Sequence, residues 1–579
     1  MGEYFLFTQR DRLREAAVLA GIAAFVVLIR APFNANVGVD EGFYLVVARQ
    51  WLHGLPPYAG AFDVKPPLLF ALMAGAETLF GPSLEAAKAL SAAAAALTAC
   101  GLYLFGVRFL GRLAGLTAAF LYALSVLSLG GTFSPAELLM APFTTFGWLA
   151  GLAVVLERTP RWLTALAVSG VLFGAAACVK QTALFEAAPL VLALLFSRKQ
   201  PEAQSPDRYS RAGQTPQRHS REVHPSQQLR CSCGEWSGNP FLTAEQPPRW
   251  TPASAGATLR LDASTCKPWS IAFSRFKALG VFAAGLAMVP SGFALYFLAI
   301  GHLRALIDAA VLSAIARANV GYVPWSEAMG LLLTGVLPAL PVMALAGSAW
   351  VERRRMRAHP AYPPLRFIAA WTAAALLAIL ATKAMFAVYF LPLLQPLCLA
   401  AGVFAEHVLG RASSPARRWA WRVAVLGTAS LYLGWACAHF FLAGGEGLEA
   451  AEAAAAAMQR AGKRDGDRLL VVDRDLSVYL SANADPPGSV FHPQHLLCPF
   501  PFKGAANALA EAMDSGPAFV IVANPPMFRV CERKDQRAAV EAKLARNYCA
   551  LANFHSSITG VPGSFTVFAL KERAGSKCL

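Results

Sequence analysis

Apolar runs of about twenty residues recur along this chain, at 14–33, 84–108, 112–131, 138–156, 162–179, 182–197, 276–300, 328–350, 366–384, 386–409 and 421–442. A run of that length crosses the hydrocarbon core of a bilayer as a helix, with its backbone amides bonded internally. About eleven such runs predict an all-α polytopic membrane protein. Only 15% of the 579 residues are charged and 56% are hydrophobic, where a soluble domain is about one quarter charged. The formal net charge of +16 would suit nucleic acid. Its basic residues, however, sit in short clusters between apolar runs, with no aromatic-interleaved basic patch. The first run has no small-residue cleavage site after it, so it reads as a retained span and not a removed signal. The 11 cysteines are dispersed, which argues against a disulfide scaffold for the chain as a whole.

Charge placement orients the spans. Arg10, Arg12 and Arg14 precede the first one, which puts its start on the cytoplasmic side. The segment 66–80 is apolar but short, opens with two prolines and contains Glu77. If it does not cross, the clusters Arg108/Arg112, Arg158/Arg161, Arg353–Arg357 and Arg411–Arg422 all fall inside. It is therefore expected to lie along the outer interface as a juxtamembrane or re-entrant helix. Residues 42–53 are expected to form a second interfacial helix, with Tyr44 and Trp51 in the headgroup zone. The same count puts the turn 130–137, the loop 301–327 and everything after Leu442 outside.

Two stretches differ from the spans. Residues 198–270 are rich in Ser, Pro, Gln and Arg and lack apolar periodicity, which predicts a disordered cytoplasmic insertion within a transmembrane domain, 1–445. Cys231, Cys233 and Cys266 lie there, a poor zinc pattern without a fourth ligand. The tail, 446–579, predicts a periplasmic α/β domain. Its strands are expected at Arg468–Asp475, Ala518–Asn524 and Ser564–Leu570, and its helices at Gly447–Ala461, 505–515 and 536–547. Cys498, Cys531 and Cys549 are available there for a disulfide whose pairing the sequence leaves open.

The polar stretch Asn34–Pro67 interrupts the apolar pattern with Asp40, Glu41, Asp63 and Lys65. Acids beside a membrane span are costly and so mark a candidate site. The topology brings Glu137, Lys180 and Lys383 to the same outer face. A lysine at the water–lipid boundary suits the phosphate of a lipid headgroup. A carboxylate beside it can take a proton from an acceptor hydroxyl, or stabilise positive charge developing on a sugar ring. That set suits glycosyl transfer from a polyprenyl-phosphate carrier. No cofactor is required, because the phosphate already leaves well; a divalent cation, Mg or Mn, is compatible with the carboxylates. Position alone leaves other roles open. Lys180 and Lys383 equally fit snorkelling helix ends, Glu137 a first-turn partner of the helix dipole, and Asp63 a turn residue. His53, His302, His492 and His495 are isolated in sequence and read as surface or loop residues.

The stretch VGVDEGFYLVVARQWLHGLPPYAGAFDVKPPLLF resembles the first outer loop of bacterial GT-C glycosyltransferases of the dolichyl-phosphate-mannose-protein-mannosyltransferase-like and lipid A aminoarabinose-transferase-like group. FSPAELLMAPF, ACVKQTALFEAAPL and KAMFAVYFLPLLQPL resemble later pieces of the same group, in order, over roughly 10–440. The resemblance implies Asp40 as catalytic acid/base with Glu41 beside it, and Lys65 at the lipid phosphate or acceptor. It implies Glu137 as an orienting acid, and Lys180, Lys383 and Tyr389 along the donor cavity. Many relatives carry His before that tyrosine where this chain has Val388, which leaves Lys383 as the substitute phosphate contact. The implied protein sits in the bacterial inner membrane. It takes a polyprenyl-phosphate-linked sugar and passes it to lipid A, another envelope glycan or a protein on the periplasmic side. A transporter or lipid flippase is the alternative, but charges clustered at one face and the lack of an internal repeat count against it.

Overall fold

The computed structural model describes residues 9–34, 36, 38–157, 161–196, 268–319, 325–354, 356–357, 361–383, 385–411, 414–443, 446–474, 476–498, 507–524, 534–558, 561–575 and 578. Nearly all of the 198–270 insertion, with Cys231, Cys233 and Cys266, lies outside the described residues, as does Cys531.

Every expected span is a helix. In order these are α1 (Gln9–Arg30), α4 (Leu84–Phe109), α5 (Arg112–Ser128), α6 (Ala136–Glu157), α7 (Trp162–Val179), α8 (Ala183–Phe196), α9 (Pro268–Ala299), α12 (Trp325–Val351), α13 (Tyr362–Thr382), α14 (Leu391–Arg411) and α15 (Pro415–Ala443). Between them lie α2 (Val39–Leu52), α3 (Pro67–Phe80), α10 (Leu303–Leu306) and α11 (Ala314–Asn319), the last two joined by a π-helical stretch Ile307–Ser313. Among the described residues eight helices are long and apolar enough to cross a membrane, and α3, α5 and α8 are shorter apolar helices. The chain is a multi-pass membrane protein. Small residues let the bundle close: a Cβ on Gly106 of α4 would lie 2.1 Å from the Cα of Gly115 on α5. Trp148 of α6 stacks on Trp371 of α13, ring centroids 5.2 Å apart.

The tail begins with α16 (Glu446–Arg460) and continues through α17 (Ser477–Ser481), α18 (Pro493–Leu497), α19 (Ala508–Asp514) and α20 (Lys534–Asn547). Its sheet has the order β1-β2-β4-β3, from β1 (Leu469–Val471), β2 (Phe519–Asn524), β3 (Tyr548–Ile558) and β4 (Val561–Leu570). β1 and β2 run parallel with Leu470 opposite Val520, while β4 is antiparallel to both β2 and β3. β3 is the strand the sequence does not announce. YCALANFHSSI has no apolar alternation, and a bulge between Ala550 and Ala552 shifts its register against β4. Cys549 on β3 is disulfide-bonded to Cys578, a cysteine outside the three expected to pair.

A second correction concerns α2. Its middle is enclosed by protein and not open at a surface: Phe43, Tyr44, Leu45, Val46, Val47 and Ala48 are buried. The tail covers them. One hydrophobic cluster joins Phe43, Tyr44 and Phe70 to Tyr479, Phe491, Ile521 and Phe565. Gly42 makes the contact possible, since a Cβ there would stand 2.5 Å from the Ser477 nitrogen and 2.7 Å from the Leu476 carbonyl carbon. The tail's first strand and α17 therefore share a core with the helix that carries Asp40.

Candidate active site

Asp40 and Glu41 are neighbours in the first turn of α2, where acids suit the helix dipole, but they face different surroundings. Asp40 keeps 44% of its side chain exposed. Tyr44, one turn on, donates its hydroxyl to Asp40 Oδ2 at 3.0 Å. Lys65 Nζ lies 3.7 Å from the same oxygen, and His492 Nε2 lies 3.2 Å from Oδ1. Burial by itself raises the Asp40 carboxyl. The Lys65 charge, the His492 hydrogen bond and the Tyr44 hydroxyl outweigh it and hold the group well below the usual carboxylate range.

Asp63 stands on the other side of Lys65, at 3.7 Å from its Nζ. Its Oδ1 accepts the Val64 amide at 2.6 Å, which fixes the turn before Pro66. Burial lowers Lys65, but Asp40 and Asp63 prevail and push it up to about 12. The same ammonium lies 4.9 Å over the Tyr44 ring. His495 Nε2 is 3.8 Å from Asp63 Oδ1, beyond hydrogen-bond reach. Burial, then the neighbouring His492 and the cations Arg317 and Lys65, hold His495 well below its ordinary value, so it is neutral.

The second half of the site is built by α6, α7 and the 3₁₀ turn Ala387–Phe390. Glu137 accepts from Lys180, the C-cap of α7, in a buried ion pair. Lys180 Nζ lies 3.9 Å over the Tyr389 ring. Gln181 couples the halves: its side-chain amide donates to Val64 O at 2.7 Å and to Ala310 O at 2.8 Å. Arg317 of α11 lies within electrostatic reach of Lys65, Lys180 and Tyr389. Asp40, Asp63, Lys65, Glu137, Lys180 and Tyr389 thus converge on one face, as two acid–lysine clusters sharing a cationic field.

Two expected site residues do not join them. Glu41 is 1% exposed. Its Oε2 is 2.8 Å from Lys88 Nζ, and its Oε1 accepts from Ser134 at 2.6 Å. Lys88 also donates to the carbonyls of Asn36 at 2.5 Å and Thr132 at 3.2 Å. Glu41 is a lock between α2, α4 and the 130–137 turn, because a helix turns about 100° per residue and Asp40's neighbour faces the core. Lys383 is exposed at the C-cap of α13 in the left-handed conformation, φ 54°. Among the described residues it has no ion-pair partner, and Lys180 covers Tyr389 instead. Conversely His492, His495 and Arg317 were missed. Both histidines come from the tail, some 450 residues from Asp40, a separation that periodicity does not bridge.

A divalent ion fits poorly here. Lys65 already occupies the space between Asp40 and Asp63, and among the described residues no three His, Cys, Asp or Glu side chains group as metal ligands.

The family model described as dolichyl-phosphate-mannose-protein mannosyltransferase matches residues 64–209. No curated protein sequence matches the chain. In fold it is similar to ArnT from Cupriavidus metallidurans bound to undecaprenyl phosphate, with TM-score 0.56 at 14% identity over 95% of this chain and 97% of that one. The apo state of the same ArnT gives TM-score 0.53 at 13% identity over the same shares. The chain is a multi-pass membrane protein whose fold is similar to that of ArnT. In sequence the likeness to the dolichyl-phosphate-mannose-protein mannosyltransferase family is confined to residues 64–209.

Proposed function

We propose that the chain transfers a glycosyl group from a polyprenyl-phosphate-linked sugar to an acceptor at the periplasmic face of a bacterial inner membrane. The observation that carries this reading is the Asp40 carboxylate, half-open to solvent and held as an anion between Lys65, Tyr44 and His492. Lys65 and Lys180, with Arg317 in the same field, suit the donor phosphate. The likeness in fold to ArnT, whose structure is bound to undecaprenyl phosphate, supports this reading.

In this reading an acceptor hydroxyl oxygen bonds to the anomeric carbon while the bond from that carbon to the phosphate oxygen breaks. The electron pair leaves with polyprenyl phosphate, whose charge Lys65 and Lys180 offset. Asp40 receives the hydroxyl proton. A carboxylate held this low takes the proton late, once the attacking oxygen has become acidic through its new bond. Before that its charge stabilises the cationic sugar ring. The acceptor class, whether lipid A, another envelope glycan or a protein, is set by the surface around Asp40, to which the tail contributes. No metal enters any step.

Purified protein in vesicles carrying a polyprenyl-phosphate-linked sugar tests this directly. Release of polyprenyl phosphate with a new glycoconjugate, unaffected by a chelator, is the expected result. Sugar–lipid that crosses the bilayer unchanged would make the chain a flippase and overturn the reading.

A further inference from the structure

Both ring nitrogens of His492 are engaged. It is the N-cap of α18, where Nδ1 accepts the Gln494 main-chain N–H at 3.2 Å. A nitrogen that accepts from an amide carries no proton, so the ring proton sits on Nε2. That nitrogen faces Asp40 Oδ1 at 3.2 Å and donates to it. The ring is 3% exposed, with Phe43 edge-on and His495 beside it, each centroid 4.9 Å away. Tyr44 and Lys65 both address Oδ2, which leaves His492 as the group on Oδ1 among the described contacts. An imidazole fixed in this way cannot take Asp40's proton. It can only hold the carboxylate.

We propose that His492 is a positioning residue of the transfer reaction, supplied by the C-terminal segment, and that its Nε2–H aligns the Asp40 carboxylate between acceptor and sugar. This rests on the function proposed above. The tail is then part of the active site, beyond any role in choosing the acceptor. Tyr44 on α2, Lys65 on the adjoining loop, His492 and His495 at α18 and Tyr389 on the 3₁₀ turn are the titratable groups that face Asp40.

His492→Ala and His492→Gln provide the test, compared with wild type in two measurements. In the transfer assay, His492→Ala lowers kcat about tenfold or more with little change in donor KM, as loss of a hydrogen bond to a charged group would. The acid limb of its rate profile moves to higher pH. His492→Gln, whose amide N–H still donates, recovers most of the rate and returns the limb. The second measurement labels carboxyls with a carbodiimide and reads Asp40 by mass spectrometry across pH. Its midpoint rises in His492→Ala and falls back in His492→Gln. Labelling needs no turnover, so it decides the His492–Asp40 link even if the wild type transfers no sugar, in which case the proposed reaction alone fails. If His492→Ala leaves the labelling midpoint where it is, or glutamine rescues nothing while both variants stay folded, the proposal is overturned.

Discussion

At the scale of residues, two adjacent carboxylates have opposite fates. Asp40 is partly exposed and meets three donors, whereas Glu41 is enclosed with Lys88. Glu41→Gln leaves a buried ammonium without its anion and is expected to cost about 3–5 kcal/mol. Thermal unfolding in detergent would read that loss, while transfer per folded molecule stays near wild type. His495 gives a pH prediction. Its folded value lies well below the ordinary 6.5, so as pH falls the unfolded chain binds a proton that the folded one refuses. Stability is therefore complete above pH about 6.5 and declines below it. His495→Phe should flatten that decline in melting scans between pH 7 and 5. The sequence displayed the acids and lysines, because charges stand out against apolar runs. It did not say which oxygen each would meet, and so set Glu41 beside Asp40 in the site and offered Lys383 as a donor-phosphate contact.

At the scale of elements, the spans were legible because a bilayer forces about twenty apolar residues into each. The tail's β1, β2 and β4 were legible as compact apolar runs. The edge strand β3 and the burial of α2 were not, since both depend on a partner distant in sequence. Gly42 is where α2 meets that partner. Gly42→Ala drives a methyl into the Ser477 backbone and should destabilise by about 1–3 kcal/mol. Limited proteolysis should then cut the tail more readily. Gly75→Ala in α3, where a Cβ meets nothing within 4 Å, serves as control and should stabilise by about 0.5–1 kcal/mol.

At the scale of the whole molecule, orientation came from arginine clusters, and the proposed topology makes every site residue face one side. Single cysteines at Asp308 and Asp465, both exposed, should react with an impermeant maleimide in intact spheroplasts. One at Arg161 should react only after permeabilisation. Under the proposed function the membrane bundle gathers lysines for a lipid phosphate, and a C-terminal segment reaches back to Asp40. The measurement that bears most directly on this account is transfer from a polyprenyl-phosphate-linked sugar by Asp40→Asn, with donor binding followed in parallel. Asparagine keeps the shape and removes the charge. The account predicts transfer reduced by about 10²-fold or more with donor affinity nearly unchanged. Wild-type turnover in Asp40→Asn would contradict it.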